Sequence, residues 1–248
     1  DGYRDFRFVL ESAYPKREYC VQYRESNLDF VSRLLEEEGI FYYFEHTDRK
    51  HVLVLADSRT AHRPCPGQTS ARWDASASTA ENQDVVTSLR STREVRPERV
   101  TLRDYNLEQP RAPLHVAAGT ARLDETFDYP GRFVHRGEGE HHARLRRQAQ
   151  EAEGVRCSGK SLCRGFIPGY RFDLGGHFRA DLNRTCVLLE VEHDARMQGY
   201  RTTFDAQPFE YRDRFELLPA AIPYRPPRVT PRPVVAGSQT AVVVGPAA

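Results

Sequence analysis

Residues 20–57, CVQYRESNLDFVSRLLEEEGIFYYFEHTDRKHVLVLAD, predict a strand, a helix and a two-stranded hairpin in direct succession. Ser26 stands three residues before Asp29 and directly before an apolar run. This is the capping-box arrangement, in which the serine hydroxyl accepts from a free amide of the first turn and the carboxylate accepts from the backbone amide of the serine. Gly39 supplies the left-handed conformation that ends many helices. The stretch therefore predicts one helix between these two caps, with β-structure on either side.

Apolar side chains recur at helical spacing between the two caps, so we expect the helix to pack against the rest of the chain. This stripe consists of Leu28, Phe30, Val31, Leu34 and Leu35. After the helix, residues 40–44 and 52–55 are apolar on both strand faces and flank the polar turn 47–50. We predict a hairpin that is covered on both faces.

Three consecutive carboxylates, Glu36, Glu37 and Glu38, end the helix. They lie at the negative end of the helix dipole, where each is unfavourable by roughly 0.3–1 kcal/mol if it is unpaired. One interpretation is a solvated acidic helix end whose charges are screened. The other is a contact with another subunit or a partner, and for this reading the three carboxylates are the candidate interface residues.

The length of 248 residues fits one large domain or two closely associated ones. With 36 basic and 35 acidic side chains and no run of five like charges, nucleic acid and acidic membranes are not favoured partners. Arginines recur over residues 90–103, where an outward strand face neutralised by nearby acids is favoured over a binding patch. The sequence contains no apolar run near the twenty residues that cross a bilayer and no signal peptide.

Further strands are predicted along the chain, together with one more helix and two irregular segments. The predicted strands are residues 3–9, 17–23, 85–93, 98–106, 155–161, 170–174, 185–193 and 200–209. We expect 85–93 and 98–106 to pair with each other, an irregular insert over about 58–84, and a helix over 138–153. The proline-rich residues 219–233 predict an extended linker, and residues 234–248 the start of another β-domain.

The enzyme motifs sought in the sequence are absent, and no catalytic, cofactor or metal site is predicted. The five cysteines have irregular spacing and suit a reducing compartment, as small buried side chains, better than a disulfide framework. His141 and His142 diverge on a helix and are expected to be solvated. At strand ends or turns lie His46, His51 and His193, where partly buried, hydrogen-bonded imidazoles are ordinary. Glu190 and Glu192 lie two residues apart on a predicted strand and therefore point to the same side. One interpretation is the carboxylate pair of a carbohydrate-cleaving protein, and the other is an ordinary solvent-exposed strand face.

Several segments together resemble the VgrG spike proteins of bacterial type VI secretion systems. They are the run from Cys20 to His46, then HVLVLAD, RVTLRDYN, FDYPGRF and FDLGGHFRADLNRTCVLLEVEH, and the proline-rich linker into VAGSQTAVVVGP. The resemblance implies that residues 1–218 are most of a phage tail-hub-like module. The fold it implies is mainly β with a few short helices, built from two barrel-like β units with inserted segments. Residues 234–248 would be the first strand of a truncated oligonucleotide/oligosaccharide-binding-type spike domain.

The same resemblance implies a structural, non-enzymatic function. The family forms a homotrimer that connects the hexameric Hcp tube to a needle and delivers effectors, and a spike-tip protein binds beyond the C-terminal part. Assembly would take place in the bacterial cytoplasm, followed by secretion through the type VI system into a target cell or the medium. Because Asp1 stands first and Met197 is the only methionine, we expect the chain to begin inside a longer protein. The resemblance implies that about a hundred residues precede Asp1. An extracellular carbohydrate-binding protein, a nucleic-acid binder and an adhesive domain with paired cysteines are the alternatives.

Overall fold

The computed structural model describes residues 4–77, 83–120, 124–196, 209–238, 240 and 242, and this part of the chain is mainly β-structure. It contains two helices, α1 Asn27–Glu38 and α2 Arg136–Glu153. Its strands are β1 Phe6–Val9, β2 Phe41–His46, β3 His51–Ala56, β4 Ser70–Trp73, β5 Val85–Arg93, β6 Arg99–Arg103, β7 His115–Gly119, β8 Glu125–Asp128, β9 Val155–Ser161, β10 Arg171–Gly175, β11 Thr185–Arg196 and β12 Glu210–Pro219. The predicted mainly β class is confirmed.

Helix α1 begins and ends at the predicted caps. The Ser26 hydroxyl oxygen accepts a hydrogen bond from the Asp29 amide at 3.1 Å, and Gly39 has a φ of 66°. A Cβ at Gly39 would come within 2.8 Å of a Leu145 methyl group, which would have to shift, and the left-handed φ is what favours glycine at this position. The apolar stripe is only partly covered, because Leu28 and Val31 are 67% and 47% exposed.

The hairpin of β2 and β3 is joined by β1 into a three-stranded sheet with the order β1-β3-β2. One face of this sheet packs on the main core through Phe41, Tyr43 and Val54. The opposite face carries Tyr42 and Phe44, which stay about half exposed. The prediction that the hairpin is covered on both faces is therefore wrong for the outer face.

A closed six-stranded barrel, in the order β10-β11-β12-β9-β5-β4, holds most of the core. Phe166 and Phe172 fill it with ring centroids 4.4 Å apart, and Phe215 meets Phe166 edge-on. The core continues into the inner face of the β1-β3-β2 sheet, so barrel and sheet share one hydrophobic cluster. This shared burial fixes the hairpin against the barrel wall.

A second three-stranded sheet, in the order β7-β6-β8, packs against α2 over its own core. That core contains Val100, Leu102, Val116, Phe133 and Ala143. Strands β5 and β6 therefore belong to different sheets, and the predicted pairing of 85–93 with 98–106 is wrong. The physical reason is that β5 pairs with β9 and β4, while β6 pairs with β7 and β8.

The predicted strand over 17–23 does not form. Tyr19 is 84% exposed and Val21 45% exposed, and no described strand lies beside the segment to supply ladder hydrogen bonds. Alternation of residue types favours a strand only where a partner completes it.

Part of the predicted irregular insert, 58–84, is regular. A 3-10 turn spans Arg59–Ala61 and β4 completes the barrel, and Ala61, Cys65 and Ala71 are buried in the core. Residues 78–82 of this segment lie outside the described residues. So does most of the strand predicted over 200–209, while β12, which the sequence did not predict, pairs with both β11 and β9.

The described residues form one closed barrel and two three-stranded sheets, and a second barrel is not among them. Residues 234–238 carry no strand, and most of 239–248 lies outside the described part. The truncated spike domain at the C-terminal end remains a prediction.

Candidate functional site

The proline-rich segment after β12, residues 220–232, runs across the junction between α1 and α2, and we call it the strap. Its prolines lack the N–H group that a strand ladder needs, so it runs without regular secondary structure. It is nevertheless held by side chains. The Tyr224 ring packs edge-on against Phe41 with centroids 5.6 Å apart, which ties the strap to the main core.

Arg225 is the central anchor of the strap. Its Nη1 donates to the carbonyl oxygens of Gly39, at 3.0 Å, and Asp57, at 2.5 Å, while its Nε donates to Gln148 Oε1 at 2.8 Å. The Gly39 carbonyl follows the end of α1 and has no partner within the helix, so Arg225 supplies one. Burial lowers the pKa of the Arg225 guanidinium. One side chain thus connects the end of α1, the end of β3 and α2.

The carboxylates of Glu36 and Glu37 bind the far end of the strap. Glu36 accepts hydrogen bonds from the Thr230 amide at 3.0 Å and the Thr230 hydroxyl at 2.6 Å. Glu37 forms an ion pair with Arg232, and its side chain is only 8% exposed. The interpretation as a solvated, screened helix end is therefore wrong for these two carboxylates.

Arg17 lies on the other side of the helix end and bridges two of the carboxylates. Its Nη1 and Nη2 lie 2.8 Å from Glu37 and 2.6 Å from Glu38. Burial opposes the ionisation of Glu37, yet Arg17 and Arg232 hold its pKa below the usual value. Burial, with the charge of Glu37 beside it, raises the pKa of Glu38. Two guanidinium groups thus offset the dipole cost expected from the sequence.

A cavity of about 230 Å³ lies between this helix end, α2 and the strap, and His142 is among its lining residues. Burial lowers the pKa of His142 to about 4, and the charges of His141, Arg146 and Arg228 lower it further, against the opposing charge of Glu37. The expectation that His141 and His142 are solvated is wrong. Both are partly buried, because α2 turns this side toward the strap rather than toward solvent.

The outer face of the β1-β3-β2 sheet is the second surface of interest. Phe6, Phe8, Tyr42 and Phe44 lie on this face and are 50%, 62%, 47% and 44% exposed. At ~200 Å² per aromatic side chain, half exposure of four of them leaves roughly 400 Å² of aromatic surface in water. The largest apolar patch on a monomer is commonly of this size and is often functional, so this face is a candidate interaction surface.

Comparison with known proteins assigns this chain to a family. The model of the phage tail baseplate hub family matches residues 1–199. The chain belongs to that family. The hub chain is 36% identical over 250 residues to the type VI secretion system spike protein VgrG1b of Pseudomonas aeruginosa, covering 99% of the chain and 34% of that protein. It is 37% identical to VgrG1a of the same organism, covering 99% and 39%. It spans little more than a third of these relatives.

Solved structures share the hub fold. A type VI secretion component from E. coli, described as structurally similar to bacteriophage T4 tail proteins gp27 and gp5, superposes with a TM-score of 0.62. It is 23% identical, and the match covers 94% of the hub chain and 48% of that chain. A prophage MuSo2 tail protein from Shewanella oneidensis gives a TM-score of 0.57 at 8% identity, over 89% and 62% of the chains. The predicted resemblance to VgrG spike proteins and phage tail hubs is confirmed.

The glycosidase-like carboxylates of the hub chain lie on the outer surface of the barrel. Glu190 and Glu192 are exposed on β11; Glu190 is opposite Glu216, and Glu192 lies 3.7 Å from Arg214. These are the neighbours of an ordinary charged strand face rather than of a carboxyl pair that flanks a substrate.

The arginines over residues 90–103 are only partly neutralised. Of the nearby acids expected to pair with them, Glu94, Glu98 and Asp104, Glu94 alone does so among the described residues. Arg96 pairs with Glu94 and Glu153, and Arg99 with Glu125. All five cysteines are unpaired, which removes the support for a disulfide-linked adhesive domain, and four of them are buried. Among the described residues, no three or more His, Cys, Asp or Glu side chains converge as a metal cluster, and no described helix is long and apolar enough to cross a membrane.

Sequence reasoning missed three features of these surfaces: the Arg225 anchor, the facing positions of His46 and His51, and the exposed outer sheet face. Arg225 could not be singled out, because its partners Gly39 and Asp57 lie 186 and 168 residues away along the chain. The sequence could have predicted that His46 and His51 lie side by side, because they flank the four-residue turn of a predicted hairpin. The exposed sheet face follows only from knowing which hairpin face meets the barrel.

Proposed function

We propose that this chain is the structural hub of a type VI secretion puncturing device. In this role it forms a homotrimer that joins the Hcp tube hexamer to the needle, so that effectors are carried into a target cell. The observation that carries the proposal is the 36–37% identity along 99% of the chain to several Pseudomonas aeruginosa spike proteins. The hub fold supports it independently of that identity.

The exposed surfaces suit a protein that works by contact. The outer sheet face and the exposed apolar residues of α1 provide area that subunits or the tube would bury. We further propose that Glu36, Glu37 and Glu38 contribute to an intersubunit or tube interface, in addition to the anchoring of the strap by Glu36 and Glu37. Cyclic trimers use two different patches of each subunit, so more than one such surface is expected.

The proposed role involves no bond making. Force from the contracting sheath would pass through the barrel and the strap to the needle, and the ion pairs at the strap would keep that connection stiff. The 30% identical actin cross-linking toxin VgrG1 of Vibrio cholerae does not change this, because the hub chain covers 23% of that protein. We propose that the hub chain is not an enzyme and binds no cofactor.

The remaining partners follow from the same proposal. Effectors and a spike-tip protein would attach through parts of the protein beyond the hub module, and neither nucleic acid nor a stable membrane contact is part of the function. The hub would assemble in the bacterial cytoplasm and leave through the type VI system.

Light scattering on the full-length protein that contains this chain tests the assembly. The proposal predicts the mass of a trimer at micromolar concentration. A monomer under those conditions would count against it.

A further inference from the structure

Two histidines face each other at the open end of the β2-β3 hairpin. His46 ends β2 and His51 begins β3, and the two residues are direct partners in the antiparallel register. Their Nδ1 atoms lie 2.7 Å apart, and both residues are exposed. Two imidazole nitrogens thus lie within hydrogen-bond distance of each other at the surface.

The turn between the histidines holds this arrangement in place. The Thr47 amide donates to the Lys50 carbonyl at 2.9 Å, and the Lys50 amide donates to Thr47 Oγ1 at 3.1 Å. The His46 ring also stacks on Phe44, with an interplanar angle of 24°. Backbone ladder, turn and ring stacking together hold the two rings next to each other, so a ligand has to reorient the rings but not the backbone.

We propose that His46 and His51 form a binding site for a divalent transition metal ion, with Ni²⁺ or Cu²⁺ favoured. At metal–nitrogen distances of about 2.0–2.1 Å, two cis ligands are about 2.9 Å apart at a right angle and about 3.3 Å apart in a tetrahedron. The observed separation of 2.7 Å is closer to the right angle. Square-planar and octahedral ions therefore fit with a smaller movement of the rings than tetrahedral Zn²⁺.

Binding exchanges a hydrogen bond for two coordinate bonds. In the metal-free pair, one neutral imidazole donates its Nδ1 proton to the other. The ion takes the lone pair of each Nδ1, and the proton of the donor ring moves to its Nε2 through solvent. Protons balance, because each ring starts and ends neutral.

The surroundings leave room for further ligands. Lys50, one of the two cations in the turn, forms an ion pair with Asp5 at 3.4 Å. In the described part of the chain no third His, Cys, Asp or Glu joins the pair. The other coordination positions would be held by water or by a group of a docked partner, since the histidines lie on the same outer sheet face as Phe44.

The test uses tag-free protein and NiCl₂ alone in isothermal titration calorimetry. The expected result is one ion per chain, with affinity reduced at least tenfold in both His46→Asn and His51→Asn. The matched control is His141→Asn, which changes one member of the other neighbouring histidine pair and should leave the affinity unchanged.

Electron paramagnetic resonance with Cu²⁺ provides a second readout of the same variants. Two coordinated imidazole nitrogens are expected in the unaltered chain and one in each single variant. Absence of stoichiometric Ni²⁺ binding would overturn the proposal. Binding that survives both substitutions would show adventitious metal only.

Discussion

Replacing Arg225 with methionine removes the anchor of the strap while keeping most of its aliphatic volume. Three hydrogen bonds are lost, to the carbonyl oxygens of Gly39 and Asp57 and to Gln148. Hydrogen bonds that involve a charged group contribute about 1.5–3 kcal/mol each. The full sum is not expected, because removing the guanidinium also recovers the cost of burying its charge.

Water can also reach the freed carbonyl groups through the neighbouring cavity of about 230 Å³. We therefore expect the free energy of unfolding to fall by about 2–4 kcal/mol in Arg225→Met. In equilibrium urea unfolding this is a midpoint shift of roughly 1 M, for an m-value of about 3 kcal/mol per molar. Trypsin should also cleave the strap after Arg228, the one strap arginine that is not followed by proline, faster than in the unaltered chain.

Arg228→Met is the matched control. Arg228 lies on the same strap but makes no hydrogen bond or ion pair with the residues that the structure describes, so a loss below about 1 kcal/mol is expected. An equal midpoint shift in the two variants would refute the anchoring role of Arg225. So would a destabilised Arg225→Met protein whose strap is as resistant to trypsin as before.

Two further predictions concern the helix end and its surroundings. The combined change Glu36→Lys, Glu37→Lys and Glu38→Lys should release the strap to trypsin and abolish the trimer in light scattering; an intact trimer that still binds the tube would limit these carboxylates to intramolecular anchoring. Burial lowers the pKa of His142 to about 4, so the unfolded chain binds a proton that the folded chain excludes. Stability should therefore fall by about 2 kcal/mol between pH 6.5 and pH 4, after allowing for the partial exposure of the ring. His142→Gln should flatten the urea midpoint over that window, and an unchanged pH slope would contradict this assignment.

The elements that sequence reasoning located correctly are those defined by local chemistry. Ser26 and Gly39 delimit α1 because capping depends on a few neighbouring residues, and the hairpin of β2 and β3 follows from two apolar runs around a polar turn. Strand β9 was predicted over residues 155–161 and is found there. The mainly β class and the family came from the resemblance of longer segments, such as Cys20 to His46, to the VgrG spike proteins.

The features that sequence reasoning missed depend on contacts between distant residues. Residues 17–23 have a strand pattern but no partner, and the short β4 lies in a segment without periodicity because parallel pairing to β10 and β5 defines it. The predicted linker is a docked strap because Arg225 and Thr230 meet groups nearly two hundred residues earlier. The three glutamates were recognised as unusual from the helix dipole, whereas their partners required the fold.

The proposed function requires the full-length hub protein, as a trimer, to bind the secretion tube. The most direct measurement is the capture of purified hexameric Hcp tube protein by the immobilised full-length protein. We expect the unaltered trimer to retain the tube hexamer. We expect this binding to be lost in a variant in which the three glutamates are changed to lysine and four outer-face aromatic residues are changed to serine, namely Phe6, Phe8, Tyr42 and Phe44. A folded full-length trimer that retains no tube protein would contradict the account.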